Sequence, residues 1–455
     1  MVGHKDSSKL FSSPHSSQVV LAITIVAIAT MMLDVSLARV YDLVEKQPTS
    51  LWRVAIFVFI TAVLIVSMFL ILKYIGEKTA NIRSISKLHI GTVHRAIWAA
   101  QIIISAILVT ITVQIILVQQ YNTFLLITTV CISYGVAMGL LGLLAQRFFS
   151  WSLSNKNFVI IMYMLAAASL AVNAGFTLFY VSDVLLDKPN IMMPYSGGSL
   201  VSILPNTERA VLNSGFFISS IVSFALLWSA TAALLHHYTS KFGRLRFWAI
   251  ISSPLILFLG QFASYFGALL DPLLSLDPVS YTMFVTLVFT LSKPIGGILF
   301  GIAFFTLARN FRQNPSLRNY LIISALGFVL LYVSNQASVL VVTPFPVFGA
   351  PTVVFMALAS YFIFLGIYSS AISISEDAKL RRMLRRTALD ESKLLDSVGT
   401  AYMKDEIQRK VLKLRKANSD KIIEVTGLDT VPSESDLSQY IEEVIKEMQA
   451  NKEKR

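Results

Sequence analysis

Two ionisable residues, Asp34 and Lys293, lie inside long apolar stretches of the sequence. A charge near the centre of a bilayer costs roughly 2.5–3.5 kcal/mol on the insertion scale, so such residues are typical of substrate or ion sites. Pro294 follows Lys293 directly, and Gly296 and Gly297 complete the turn. Proline removes an amide donor, and glycine offers little resistance to bending. The sequence therefore predicts a broken helix that holds a buried cation, as an anion or substrate site would need.

Four residues form the predicted ligand or substrate site: Lys293, Asn173, Asn335 and Asp34. Structural interpretations compete with this one. Lys293 could extend its ammonium to the interface, or pair with Asp271 or Asp34. The two asparagines could instead hydrogen-bond one helix to another, which is the more frequent use of such residues. The scarcity of carboxylates in the apolar stretches argues against proton or sodium coupling, which usually needs buried Asp or Glu.

The sequence lacks the residue patterns of the common catalytic and metal sites. Cys131 is the only cysteine, which excludes an internal disulfide and a thiolate metal cluster. None of the six histidines lies deep in an apolar stretch; His89 and His94, for example, precede the third one. No HExxH, GxxxxGKS or GxSxG motif occurs. We therefore predict no catalytic residue, no metal site and no cofactor, and a membrane enzyme is the least favoured class of function.

The composition predicts a polytopic integral membrane protein. Of the 455 residues, 55% are hydrophobic and 14% are charged, and the mean hydropathy is +0.67. A soluble protein carries about a quarter charged residues. A helix needs roughly 20 apolar residues to cross the hydrocarbon core, where open backbone groups cannot be satisfied by lipid. We therefore predict an all-α fold with about ten transmembrane helices, at residues 19–38, 54–74, 96–118, 124–145, 158–181, 211–235, 248–270, 281–308, 319–342 and 352–373.

The distribution of Lys and Arg predicts the orientation of the chain. With the N-terminus inside, the inside segments hold 15 of these residues and the outside segments hold 5. This bias places both termini in the cytoplasm of a multi-pass cell-membrane protein. It also accounts for most of the net charge of +12, so no nucleic acid partner is expected. The first stretch has a second interpretation as a cleaved signal peptide, because Ser36-Leu37-Ala38 fits a cleavage site, although the flanking Asp34 and Arg39 favour a retained helix.

The chain also contains a weak internal repeat. Shifting the sequence by 162 residues aligns the fourth and fifth apolar stretches with the eighth and ninth, and aligns Asn173 with Asn335. The shift covers an even number of stretches, so it predicts a parallel repeat of four helices. It also aligns two pairs of glycines that would let helix backbones approach closely. We predict that these glycines pack helices inside the protein rather than between two copies: Gly135, Gly139, Gly297 and Gly301.

A charged tail follows the apolar stretches. Near its end, apolar residues recur at the spacing of one helix face: Leu437, Tyr440, Ile441, Val444, Ile445 and Met448. Acidic residues on the opposite face favour protein packing over adsorption to a membrane. A tail of about 80 residues makes only a marginal core. We therefore predict that residues 376–455 form a helical unit that self-associates or binds a cytoplasmic protein partner through this face.

These features predict three parts of the chain and leave more than one function open. Residues 1–18 form a cytoplasmic N-terminal segment, 19–375 the transmembrane helical domain, and 376–455 the cytoplasmic helical tail. The preferred function is a sensor or docking protein that acts through its amphipathic tail. The alternative is a transporter or channel with a site near the broken eighth helix at Lys293-Pro294. The lipid bilayer is the partner that either function requires.

Overall fold

The computed structural model of the chain describes residues 16–44, 51–78, 90–154, 157–186, 207–260, 278–311, 314–342, 345–377 and parts of 380–411. Within these ranges the regular secondary structure is helical, and none of it is strand. The predicted all-α class is therefore confirmed.

Ten long helices, numbered α1 to α10 in chain order, build the described part of the chain. Their bounds are Ser16–Val44, Leu51–Lys78, Ile90–Val118, Thr123–Ser154, Phe158–Leu186, Thr207–Leu235, Arg244–Gly260, Pro278–Asn310, Pro315–Ser334 and Phe355–Glu376. Short helical turns lie at His236–Tyr238, Thr239–Phe242, Val339–Val342 and Ala350–Val353. Among the described residues, nine helical segments are long and apolar enough to cross a membrane, and α7 has 17 residues. The chain is therefore a multi-pass membrane protein.

The local sequence explains where individual helices begin. Asn314 precedes α9, and its side chain accepts a hydrogen bond from the Leu317 amide at 3.1 Å, while Pro315 occupies the first turn. Proline suits this position because the first helical amides have no partner within the helix. Asn122 starts α4 in the same way and accepts from the Phe124 amide at 2.9 Å. Away from their ends the helices are apolar on every side, because each side faces either lipid or another helix.

Helix α10 lies at the centre of the bundle. In the most apolar 18-residue part of each helical segment, every residue of α10 is buried, whereas only 33% of the residues of α1 and α6 are buried. Its most extensive contact is with α9, and it also packs against α2, α3 and α4. Glycines permit the close approach of α9 and α10, because Gly327 lies against Ile363 and Gly366 lies against Ser324. Movement of α10 would therefore change its contacts with α2, α3, α4 and α9.

The shift of 162 residues aligns α4 and α5 with α8 and α9, and the helices that follow each aligned pair, α6 and α10, occupy matching places in the packing. Helix α4 packs against α5 and α5 against α6, while α8 packs against α9 and α9 against α10. We call α4–α6 and α8–α10 the two units; between them, α10 packs against α4, and α6 packs against α8. Two parallel units related by an axis along the membrane normal would exchange neighbours in this way. The aligned residues Asn173 and Asn335 meet between the units, where Asn335 Nδ2 donates to Asn173 Oδ1 at 3.4 Å.

The predicted break of the eighth helix at Lys293-Pro294 is wrong. Helix α8 runs without interruption from Pro278 to Asn310. Proline removes one amide hydrogen bond, and the packing of α8 against α7 and α9 supports the helix across that loss. The break occurs instead within the ninth predicted stretch, 319–342. There α9 ends at Ser334, and the next helical turn begins at Val339.

Two other predictions fall wholly or partly outside the described residues. The seventh predicted stretch, 248–270, corresponds to α7 as far as Gly260, and residues 261–277 are not described. The apolar tail face from Leu437 to Met448 also lies outside the described ranges. Self-association or partner binding through that face therefore stays a prediction.

The contact between α9 and α10 can be tested at Gly366. A Cβ atom at this position would lie 2.7 Å from both the Tyr320 carbonyl oxygen and the Ser324 amide nitrogen, so the backbones would have to separate. We predict that Gly366→Ala lowers the free energy of unfolding by about 1–3 kcal/mol, the usual cost of overpacking. Thermal unfolding of the purified full-length chain in detergent measures this loss.

Gly139→Ala is the matched control, because a Cβ atom at Gly139 would meet nothing within 4 Å. This variant should unfold at the wild-type temperature or slightly above it. Equal behaviour of the two variants would show that α9 and α10 are not in close contact at Gly366.

Candidate functional site: a polar centre at the break of α9

The break of α9 changes the backbone hydrogen bonds that follow Asn335. The Asn335 amide still donates to the Leu331 carbonyl at 2.9 Å, as in a regular helix. The Gln336 amide instead donates to the Ser334 carbonyl at 2.8 Å, and the Val339 amide donates to the Gln336 carbonyl at 2.9 Å. In a continuous helix the Val339 amide would bond the Asn335 carbonyl. The break thus releases that carbonyl from the helix.

Lys293 binds the released carbonyl. Its Nζ atom donates to the Asn335 carbonyl oxygen at 2.7 Å, and the residue is 4% exposed. The same Nζ atom lies 5.9 Å from the centre of the Phe216 ring. A cation is favoured at this position because the carbonyl end of a helix carries partial negative charge. Lys293 on α8 therefore caps the C-terminus of α9.

Tyr134 on α4 satisfies a second group at the break. The Ala337 amide donates to the Tyr134 hydroxyl oxygen at 3.4 Å, and the hydroxyl donates to Asn335 Oδ1 at 3.0 Å. Irregular backbone at membrane depth is stable only where the protein supplies such partners. Side chains from α4 and α8 thus satisfy the backbone that the break opens.

Asn173 extends the network to α5 and α6. Its Oδ1 accepts from Asn335, and its Nδ2 donates to Ser219 Oγ at 3.1 Å and to the Phe216 carbonyl at 3.4 Å. The network now joins five helices: α4, α5, α6, α8 and α9. We call its side chains the polar centre: Tyr134, Asn173, Ser219, Lys293 and Asn335. Each of them is buried.

Asp34 on α1 lies at the other end of the connection between α9 and α10. Its Oδ1 accepts from the Gly349 amide at 3.0 Å, and its Oδ2 accepts from the Thr352 amide at 3.2 Å and the Thr352 hydroxyl at 2.6 Å. These amides lie at the start of the helical turn that leads into α10, where partial positive charge favours an anion. Of the four predicted ligand residues, three meet in the polar centre, and Asp34 instead caps this helix start.

The predicted packing glycines differ between the two halves of the chain. A Cβ atom at Gly297 would lie 3.2 Å from the Val329 carbonyl oxygen, and one at Gly301 would lie 3.0 Å from the Ala325 carbonyl oxygen. The backbones of α8 and α9 are therefore in close contact. At Gly135 the nearest atom to such a Cβ is 3.9 Å away, and at Gly139 there is none within 4 Å.

Sequence reasoning missed the hydroxyl groups of the centre and misplaced one histidine. Tyr134 and Ser219 gave no signal, because hydroxyl residues occur throughout the apolar stretches. His94, expected before the third helix, lies within α3 and is buried. Its Nδ1 is 2.8 Å from the Tyr361 hydroxyl, and its Nε2 accepts from Trp98 Nε1 at 3.1 Å. Since both ring nitrogens have protein partners, His94 links α3 to α10.

Comparisons with known proteins do not assign the polar centre. No family model, no curated protein and no solved structure matches the chain. Within the described ranges, no group of three or more His, Cys, Asp or Glu residues is placed to hold a metal ion. The function is therefore inferred from the geometry of the centre.

The cap at Asp34 can be tested by removing its carboxylate. We predict that Asp34→Ala lowers the free energy of unfolding by about 3–5 kcal/mol, because the buried amides of Gly349 and Thr352 lose their acceptor. Asp34→Asn keeps one acceptor oxygen, so its loss should be smaller. Thermal unfolding of the full-length variants in detergent measures both. An Asp34→Ala protein as stable as the wild type would contradict the assignment of Asp34 as a cap.

Proposed function

We propose that the chain is a membrane transporter that binds a small polar solute at the polar centre. The observation that carries this proposal is the break of α9 inside the bundle, with the Lys293 ammonium on the opened backbone. Discontinuous transmembrane helices are a recurrent feature of transporter substrate sites, because their ends present unpaired backbone dipoles to a solute. A buried ionisable side chain is a second such feature.

The position of the centre between the two matching units supports the same proposal. Asn173 belongs to the first unit, and Lys293 and Asn335 belong to the second. If one unit rocked against the other, the hydrogen bond between Asn173 and Asn335 would break. Alternating access in transporters with internal repeats works through such motion around a fixed site. The competing interpretation is that the centre only joins helices, and the next experiment separates the two.

Transport can be measured with the purified chain in proteoliposomes. The probes are a panel of radiolabelled small organic acids, amino acids and sugars. We predict that at least one accumulates, and that Ser219→Ala slows its uptake by about tenfold, the effect of losing a hydrogen bond worth about 1.4 kcal/mol. Lys293→Met should abolish uptake while the protein still folds.

Ser253→Ala is the matched control. Ser253 is also a helical serine that bonds the carbonyl three residues earlier, but it is exposed on α7. Its variant should transport at the wild-type rate. Loss of folded protein in both Lys293→Met and Lys293→Ala, with no solute accumulated by the wild type, would make the centre structural and overturn the proposal.

A sensor or docking function is the second candidate, and the described start of the tail favours it. Asn157 Nδ2, at the start of α5, donates to Ser397 Oγ at 3.0 Å. The Tyr402 ring packs edge-on against Tyr368 of α10, with 5.7 Å between ring centres. Gly399 lies against Ile374 at the end of α10. We infer that a partner or signal acting on the tail would reach the polar centre through α10 and α9.

This tail contact can be tested by disulfide formation, because Cys131 is the only native cysteine. In a Cys131→Ser background, the pair Asn157→Cys and Ser397→Cys should crosslink under mild oxidation in membranes. The control pair, Asn157→Cys and Lys410→Cys, should not, because Lys410 lies 13 residues further along the tail and is exposed. If neither pair forms a disulfide, the contact of the tail with the bundle is contradicted.

A further inference from the structure

The side chain of Gln336 is a buried amide that the described residues leave without a partner, and Gln336 directly follows the residue whose carbonyl binds Lys293. It is 1% exposed, and neither its Nε2 nor its Oε1 has a hydrogen-bond partner in the described part of the chain. A buried polar group left unsatisfied costs about 1–3 kcal/mol, so native proteins rarely keep one without a reason. Its neighbour Asn335 is the residue whose carbonyl binds Lys293. Gln336 therefore adjoins the polar centre in the chain.

Thr290 is a second polar group of this kind. It lies one turn before Lys293 on α8, is 5% exposed, and its hydroxyl has no partner among the described residues. Helical threonines usually donate to the carbonyl four residues earlier, as Thr177 does to Asn173 at 2.7 Å. The Thr290 hydroxyl does not make this bond. Thr290, three residues before Lys293 on α8, and Gln336, next to Asn335 in the break of α9, thus both carry donors that the described residues leave unused.

We infer that Gln336, Thr290 and Lys293 bind the carboxylate of a small organic solute, which deepens the proposed transport function and rests on it. The three side chains offer an amide, a hydroxyl and an ammonium donor, and a carboxylate accepts from all three. Charge-assisted bonds to a carboxylate are stronger than a bond to a neutral carbonyl, so the ammonium can turn from Asn335 to the solute. Among the described side chains of the centre, Lys293 alone is cationic, which suits a single negative charge.

Aromatic rings beside Lys293 suit the organic part of such a solute. Phe216 lies under the ammonium, and Tyr180 stacks on Phe216 with 5.6 Å between ring centres and 14° between planes. These rings offer apolar faces next to the charged group. The carbon chain of an organic acid would pack against these rings, whereas a small inorganic anion has no apolar part that could do so.

We predict that replacing Gln336 raises the stability of the protein and weakens its binding of the solute. Gln336→Leu removes an unsatisfied amide, so the protein without solute should unfold at a higher temperature than the wild type. The same variant loses a donor to the carboxylate, so it should lose its response to the solute. If Gln336 had only a structural role, its replacement would not both stabilise the protein and abolish the response to the solute.

Gln101→Leu is the matched control. Gln101 on α3 is also fully buried, and neither of its amide atoms has a partner in the described ranges. Its replacement should raise the unfolding temperature as Gln336→Leu does. The response to the solute should remain that of the wild type, because Gln101 lies outside the polar centre.

The experiment is thermal unfolding of the full-length chain in detergent, with increasing sodium lactate, pyruvate or propionate. Chloride, nitrate and neutral propionamide at the same concentrations are the comparisons. We expect at least one carboxylate to raise the unfolding temperature in the wild type and Gln101→Leu, and none to do so in Gln336→Leu. The inference would be overturned if propionamide or chloride raised the unfolding temperature as much as a carboxylate, or if Gln336→Leu responded as the wild type does. It would also be overturned if no carboxylate had an effect, because ordered water alone would then satisfy the buried donors.

Failure of this inference is distinguishable from failure of the transport proposal. Carboxylate binding without accumulation in proteoliposomes would support the site and contradict transport. Accumulation of a neutral or cationic solute without any carboxylate effect would support transport and overturn the carboxylate assignment.

Discussion

Two opposite charges stabilise the two ends of the connection between α9 and α10. Lys293 binds the carbonyl released at the C-terminus of α9, and Asp34 binds the amides of Gly349 and Thr352 at the helical turn before α10. Each charge has the sign that its helix end favours. Open backbone inside a bilayer has no water to bond, so the connection depends on these partners. The rest of the bundle positions them.

Close packing of glycines makes these contacts possible. Gly297 brings α8 against α9, which puts Lys293 within reach of the break, and Gly366 brings α10 against α9. Tyr134 and Asn173 then connect the break to the other unit of the bundle. The polar centre is thus the place where both units share hydrogen bonds. A solute that replaced some of these bonds would change the contact between the units, and this connects the structure to the proposed transport.

The sequence identified the charges but not their partners. Asp34 and Lys293 could be found because ionisable residues are rare in transmembrane stretches. Asn173 and Asn335 could be paired through the repeat, and the structure places them in contact. The break was expected at Pro294, since proline is the usual signal, yet it lies at Asn335, where only contacts from α4 and α8 make it stable. Such tertiary contacts, like the unsatisfied amide of Gln336, leave no pattern in a single sequence.

The contact between Lys293 and the Asn335 carbonyl can be measured directly by solid-state NMR. Asn335-Gln336 is the only Asn-Gln pair in the chain. Labelling asparagine with carbonyl ¹³C and glutamine with ¹⁵N therefore gives a single carbon–nitrogen correlation from this peptide bond in lipid. A hydrogen bond from an ammonium deshields the carbonyl carbon, so we predict a clear upfield shift in Lys293→Met, with Lys410→Met unchanged. The same carbonyl shift in the wild type and Lys293→Met would contradict the account.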